Sequence, residues 1–178
     1  SIAGLELWLD ASQSSTLTLN GSSVSAWVDL SAKRNTAQQS TANNQPSYSS
    51  ASLNGKGTLA FDGSSDSMAG SLAVSLTGQT SIVVARITVA PGVGTSYGRL
   101  LTQGLNAFSS TGSQDFDLSG HYVPLLRTVN QSSISSYADG NTRASVSVTP
   151  NQWFVACSRH TGSEIQNSIN NQTKQTYS

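Results

Sequence analysis

The sequence predicts an all-β fold, an antiparallel β-sandwich, and three observations carry that prediction. Apolar residues recur with a period of two in one short run after another. Asn-Gly and Asp-Gly dipeptides, which favour the positive φ angles of tight hairpin turns, separate the runs. No stretch long enough for a helix shows a convincing period of 3.6. A length of 178 residues accommodates one sandwich core and is too short to argue for two, so residues 1–178 read as a single domain.

Taken in order, Leu5, Leu7 and Leu9 alternate with Glu6, Trp8 and Asp10, the pattern of a half-buried strand. Val24, Ala26 and Val28 alternate with Ser25, Trp27 and Asp29, and a short helical turn is expected near residues 30–38. Leu59 and Phe61 bracket Ala60 just before Asp62-Gly63. From Ser81 to Val89, Val83, Ala85, Ile87 and Val89 share one face and Ile82 and Val84 the other, which predicts a central strand covered on both sides. Weaker strands are expected at Arg99–Thr102, Tyr122–Arg127 and Ile134–Ala138. Ala144, Val146 and Val148 alternate with Ser145 and Ser147 until Pro150 stops the run, and Trp153–Cys157 reads as a second fully buried strand. The core is therefore expected to contain Val83, Ala85, Ile87, Val155 and Cys157. Turns are placed at Asn20-Gly21, Asn54-Gly55, Asp62-Gly63, Pro91-Gly92 and Asp139-Gly140.

Composition narrows the partners. Charged residues are 10% of the chain, against roughly 25% in an average soluble protein, and Ser, Thr, Asn and Gln take their place. The formal net charge is zero and no basic stripe is present, so nucleic acid is not an expected partner; Lys33-Arg34 reads as a solvated turn. No apolar run approaches the ~20 residues that span a bilayer, so no membrane insertion is expected. Cys157 is the single cysteine, which leaves no internal disulfide and no zinc cluster; inside Trp153–Cys157 it reads as a small buried apolar residue. The chain opens at Ser1 without Met or a signal peptide and reads as a mature or excised piece.

The order of several motifs is informative. Gly4-Leu-Glu-Leu-Trp-Leu-Asp-Ala-Ser12 is followed by Val24-Ser-Ala-Trp-Val-Asp29, Gln45-Pro-Ser-Tyr48 and Leu53-Asn-Gly-Lys-Gly-Thr-Leu-Ala-Phe-Asp-Gly63, with Ser64-Ser-Asp66 trailing; Gln79–Ile87 and Gln152-Trp-Phe-Val-Ala156 come later. This ordered set resembles the concanavalin A-like lectin/glucanase superfamily in its laminin-G-like bacterial and phage branch, over Gly4 to about Gln172. The resemblance implies a jelly-roll form of the sandwich. Two departures stand out. Asn170-Asn171 occupies the place of the family's Asn-Gly hairpin, and the chain stops at Ser178 where the family adds further strands. The final strands are therefore expected from residues outside this piece or from a neighbouring chain that covers an open sheet edge.

The superfamily includes glycoside hydrolases, and retaining hydrolysis needs two carboxyl groups about 5–5.5 Å apart. Glu6 and Glu164 are the only glutamates, and neither lies in a run of spaced carboxylates. Asp115 and Asp117 share a face of Asp115-Phe-Asp117 but read as solvated acids. Gly94-Thr-Ser96-Tyr-Gly98 matches G-x-S-x-G, yet the segment after Gly98 is too short for the helix that a nucleophile elbow requires. His121 and His160 are the only histidines, and His160, before Thr161-Gly162, reads as a polar turn residue. The chain is accordingly expected not to be an enzyme.

For ligands, Asp62 with Asp66 and Asp115 with Asp117 are weak Ca²⁺ candidates, since the relatives hold this hard cation with Asp, Asn and backbone oxygens; a structural Asp-Gly turn is the competing reading at Asp62. No other cofactor is expected. Sugar binding needs an aromatic platform ringed by amides or carboxylates. Tyr97, Tyr122 and Tyr137 fall in the polar middle of the chain, whereas Trp8, Trp27 and Trp153 read as core or inter-sheet packing. The expected ligand surface is the tract from Phe108 to Tyr122, with Gln114, Asp115, Asp117, His121 and Tyr122. Two functional readings follow. One is a display or binding module on a phage virion (head decoration, fibre or tail appendage), partnered by other virion proteins or further copies of itself and contacting host-surface glycans. The other is a carbohydrate-binding module of a larger secreted bacterial protein. Either places the chain on a virion surface or outside a cell.

Overall fold

The period-two runs become strands in the computed structural model, which describes residues 2–72, 78–88, 98–101, 126–129, 133–138, 141–161, 163–172 and 174–177. Among these residues there is no α-helix, only 3-10 turns at Ser14–Thr16 and Ala42–Asn44, and every strand pairing is antiparallel. The chain divides into two compact units, Ser1–Val74 and Ser75–Ser178.

The first unit is built on one sheet of β1 (Leu17–Asn20), β2 (Ser23–Val28), β3 (Thr36–Gln38), β4 (Ser47–Leu53) and β5 (Lys56–Ala60), ordered β1-β2-β4-β5 with β3 also on β2. Asn54 and Gly55 close the β4–β5 hairpin at φ 48 and 75. Positive φ at both central residues is what a two-residue turn needs to match the strands' twist, and Asn-Gly supplies it cheaply. Gly57 serves close packing instead: a Cβ there would lie 2.5 Å from the Ala11 carbonyl oxygen and 2.6 Å from the Tyr48 hydroxyl.

Three expectations fail in this unit. Residues 5–10 form no strand, because side-chain hydrogen bonds rather than a ladder hold them. Trp8 is half-exposed rather than core. Of the helical turn expected near residues 30–38, only a single bond forms, from the Arg34 N–H to the Ser31 carbonyl at 3.3 Å: Arg34 takes φ 56, which ends the right-handed turn, and β3 begins two residues later.

The second unit contains two four-stranded sheets. One is ordered β10-β9-β8-β7, from β7 (Gly98–Leu101), β8 (Leu126–Val129), β9 (Ser133–Ala138) and β10 (Asn141–Ser147). The other is ordered β13-β12-β11-β6, from β6 (Gln79–Arg86), β11 (Trp153–His160), β12 (Ile165–Ile169) and β13 (Gln175–Tyr177). Ile134 and Val146 from the first, with Val148 just past β10, meet Phe154, Ala156 and Ile169 from the second in one buried cluster. Asn170 and Asn171, at φ 46 and 63, turn the chain between β12 and β13, and the Gln172 amide donates to the Ile169 carbonyl at 2.8 Å. Asparagine tolerates the left-handed region well enough to replace the Asn-Gly pair.

The predicted core is half right. Val83, Ala85 and Ile87 pack against the buried cluster. Val155 is 43% exposed and Cys157 only half-buried, while Phe154 and Ala156 point inward. Nor is β6 covered on both sides: it ends its sheet, with Ile82 68% and Val84 55% exposed. The reason is parity. Residues opposite each other across an antiparallel pair share a face, and Arg159 shares one with Val155 and Cys157. Burying an unpaired guanidinium is far costlier than exposing two small apolar side chains, so this face turns outward.

Candidate functional site

Of the places where the sequence points to chemistry, the structure describes Asp62 with Asp66, and His160. Gln114, Asp115, Asp117, His121 and Tyr122 lie outside the described residues, as do Ser96 and Tyr97. The ligand tract and the second Ca²⁺ candidate pair fall there with them.

Asp62 and Asp66 close a tight exposed turn. One Asp62 carboxylate oxygen accepts from the backbone N–H groups of Ser64, Ser65 and Asp66 at 2.8–2.9 Å, and the Asp66 carboxylate accepts from the Asp62 N–H at 3.0 Å. The Asp66, Ser64 and Ser65 amides hold the Asp62 carboxyl down at about 2, since each bond favours the ionised form. The three amides fall on this one oxygen, and the other Asp62 oxygen accepts from the Ser65 hydroxyl at 3.1 Å, the bonding of a structural Asp-Gly turn.

Asp29, at the end of β2, is buried, and its carboxylate ties three segments together. It accepts from Trp8 N–H at 2.7 Å, Ser31 N–H at 2.8 Å, Asn35 N–H at 3.1 Å and the Ser31 hydroxyl. Desolvation pushes its carboxyl up, but the combined bonds from Ser31, Trp8 and Asn35 outweigh it and leave the group below the ordinary carboxylate range. The carboxylate is spent on architecture: it positions residues 5–10 in place of the strand expected there.

His160 corrects a further expectation. It is no turn residue but the inward-facing end of β11, 2% exposed. On the same inward face, the Ser136 hydroxyl lies 3.4 Å from that of Ser158 and donates to the Asn167 Oδ1 at 3.1 Å, while the Asn167 amide donates to the Ala144 carbonyl at 2.8 Å. These bonds join the two sheets through a buried polar layer. Buried polar groups that satisfy one another give a core its register, and their burial keeps them from any substrate.

Among the described residues of the second unit, the outward face of the β6–β11 pair is open to a partner. Its rows, read from the strand register, are Arg86 beside Trp153, Val84 beside Val155, Ile82 beside Cys157, and Thr80 beside Arg159. The Arg86 guanidinium carbon sits 5.1 Å from the Trp153 ring centroid, within cation–π range. Gln166 and Ser168 of β12 continue the face beside Arg159 and Cys157. The Glu164 carboxylate at its margin accepts from the Gln166 amide at 3.2 Å. Among the described residues the one ion pair is Lys33 with Glu6, so neither Arg86 nor Arg159 has a carboxylate partner there.

Sequence reading missed this face because β6 and β11 are apolar on both parities. The signal lay in Arg86 and Arg159, each on the same parity as the residues that prove exposed. Comparison of the chain with family models, with curated proteins and with solved structures finds no match in any of the three.

Proposed function

We propose that this chain is a non-enzymatic binding and display module with a concanavalin A-like, laminin-G-like jelly-roll fold, carried on a phage virion as a head decoration, fibre or tail appendage domain. The observation that carries the binding part is the solvent-facing strip of Ile82, Val84 and Val155, side by side on the paired strands β6 and β11, whereas the other exposed large apolar side chains, Ile2, Trp8, Leu19 and Phe61, belong to the first unit. Contiguous exposed aliphatic side chains mark interaction sites far more often than scattered ones do. The uses found for Asp29 and Asp62, whose carboxylates are taken up by their own backbone, agree with a binder rather than a catalyst. The virion setting rests on the ordered motifs and the low charge. The test is mass spectrometry of purified particles released by the organism that encodes the chain. The chain should co-purify with the particles in stoichiometric amount; its presence only in the particle-free secreted fraction would remove the virion reading.

One observation favours the second reading, a carbohydrate-binding module. A small polar pocket of about 60 Å³ opens at one end of the second unit, lined in part by Ser147, Thr149, Gln152, Trp153, Asn170 and Gln172. Its amides and hydroxyls have room for one or two sugar hydroxyls, while the Trp153 ring is engaged by Arg86. A glycan array probed with a multimerised form of the chain discriminates: hits lost in Asn170→Ala and Gln152→Ala support the module, and a silent array removes it.

A further inference from the structure

We infer that the outward face of the β6–β11 pair docks an extended segment of a partner protein that presents two aliphatic side chains between two carboxylates. This rests on the binding-module reading and adds the chemistry of the partner. Four same-face rows run along the strip in the order cation with aromatic, aliphatic pair, aliphatic with thiol, and hydroxyl with cation. Same-face neighbours on a strand are about 6.7 Å apart, so the two arginine rows stand about 20 Å apart. An extended ligand has the same repeat. A carboxylate at its position i, aliphatic residues at i+2 and i+4, and a second carboxylate at i+6 would meet the four rows one for one.

Charge decides the occupant. Arg86 and Arg159 flank the apolar centre and have no carboxylate within ion-pair distance among the described residues, and Arg86 is steadied over Trp153. Glu164, the one acid described in the second unit, accepts from Gln166 through one carboxylate oxygen. A second copy packed face to face would bring two more guanidiniums to a face whose one described acid, Glu164, lies at the margin, and like charges set opposite each other are the usual means by which interfaces reject a partner. A segment with acids at both ends and aliphatic side chains between them satisfies both features.

The test uses the whole chain and biotinylated peptides on tetravalent streptavidin, so that a weak single site becomes measurable. The matched probe is Glu-Ser-Leu-Ser-Leu-Ser-Glu. The controls are its permutation Leu-Ser-Glu-Ser-Glu-Ser-Leu, of identical composition, and Lys-Ser-Leu-Ser-Leu-Ser-Lys. The matched peptide should bind at least about tenfold tighter than either control, weakening as salt screens the charges. Arg86→Glu should lose about tenfold on the matched peptide. The double variant Arg86→Glu with Arg159→Glu should prefer the lysine peptide. Val84→Ser, an exposed position, should weaken binding while leaving the circular dichroism spectrum and melting temperature unchanged. Equal binding of matched and permuted peptides, or no binding of any, overturns the inference. So does a concentration-dependent dimer that Ile82→Ser dissolves, which would assign the face to a second copy. These outcomes separate from the virion test: a chain found in particles that ignores the peptide sinks only this inference.

Discussion

Replacing Asp29 by alanine withdraws the acceptor of four hydrogen bonds at once, and the structure allows the cost to be worked out donor by donor. Ser31 is buried, so its amide cannot turn to water, whereas its hydroxyl can still donate to the Glu6 carbonyl at 3.4 Å; one orphaned and one weakened donor cost about 1–3 kcal/mol together. Trp8 and Asn35 lie nearer the surface and recover water, which limits their share to about 1 kcal/mol. The loss is therefore about 2–4 kcal/mol, large beside the 5–15 kcal/mol of a typical domain. Asp29→Asn should cost roughly half as much by the same count, because the remaining carbonyl oxygen still serves Trp8 and Ser31 while the new amide cannot accept from Asn35. Urea unfolding followed by tryptophan fluorescence measures both variants, with Trp8 and Trp27 as reporters in the same unit. An alanine variant within about 1 kcal/mol of the parent would show that the four bonds do not hold residues 5–10 in place. The pH dependence follows from the lowered carboxyl. A depressed folded value means that Asp29 stabilises fully above its unfolded value of about 3.9 and loses this as pH falls toward the folded value. The gap between parent and Asp29→Asn should thus be flat near neutrality and close only in acid.

Asp62 should titrate at about 2 in carboxyl carbon NMR, and replacing Ser65 by proline, which removes one of its amide donors, should move that midpoint upward. An ordinary midpoint in the parent would mean that the turn does not form. Gly57→Ala should destabilise the chain by about 1–3 kcal/mol in urea unfolding, because its Cβ would meet the Ala11 carbonyl and the Tyr48 ring. An unchanged midpoint would show that the neighbours give way freely. Asn171→Val forces a β-branched residue to φ 63 and should cost about 1–2 kcal/mol in the same assay, whereas Asn171→Gly should be nearly neutral. Equal losses would point to the Asn171 side chain instead of its backbone.

Much of the secondary structure is a local matter and was legible in the sequence. β2, β5, β6, β10 and β11 fall on the period-two runs, and Asn54-Gly55 turns the chain where its dipeptide says it should. Alternation and turn chemistry are properties of neighbouring residues, so a window of a few residues contains them. Asn170-Asn171 belongs with these, since left-handed backbone is accessible to asparagine without tertiary help.

The tertiary structure decided which parity faced inward. On β11, Phe154 and Ala156 alternate with Val155 and Cys157, and period two alone does not choose between two apolar sets. The choice came from the facing sheet of the second unit, where Ile134, Val146 and Val148 needed apolar neighbours and Ser136 could bond both Ser158 and Asn167. It came also from Arg159, which could not go in unpaired. The same holds for residues 5–10, whose pattern promised a strand until a carboxylate 21 positions from Trp8 fixed them by another means. Long-range pairing is invisible to a local pattern because each partner satisfies its own neighbourhood rules, and only their meeting in space settles which rule prevails.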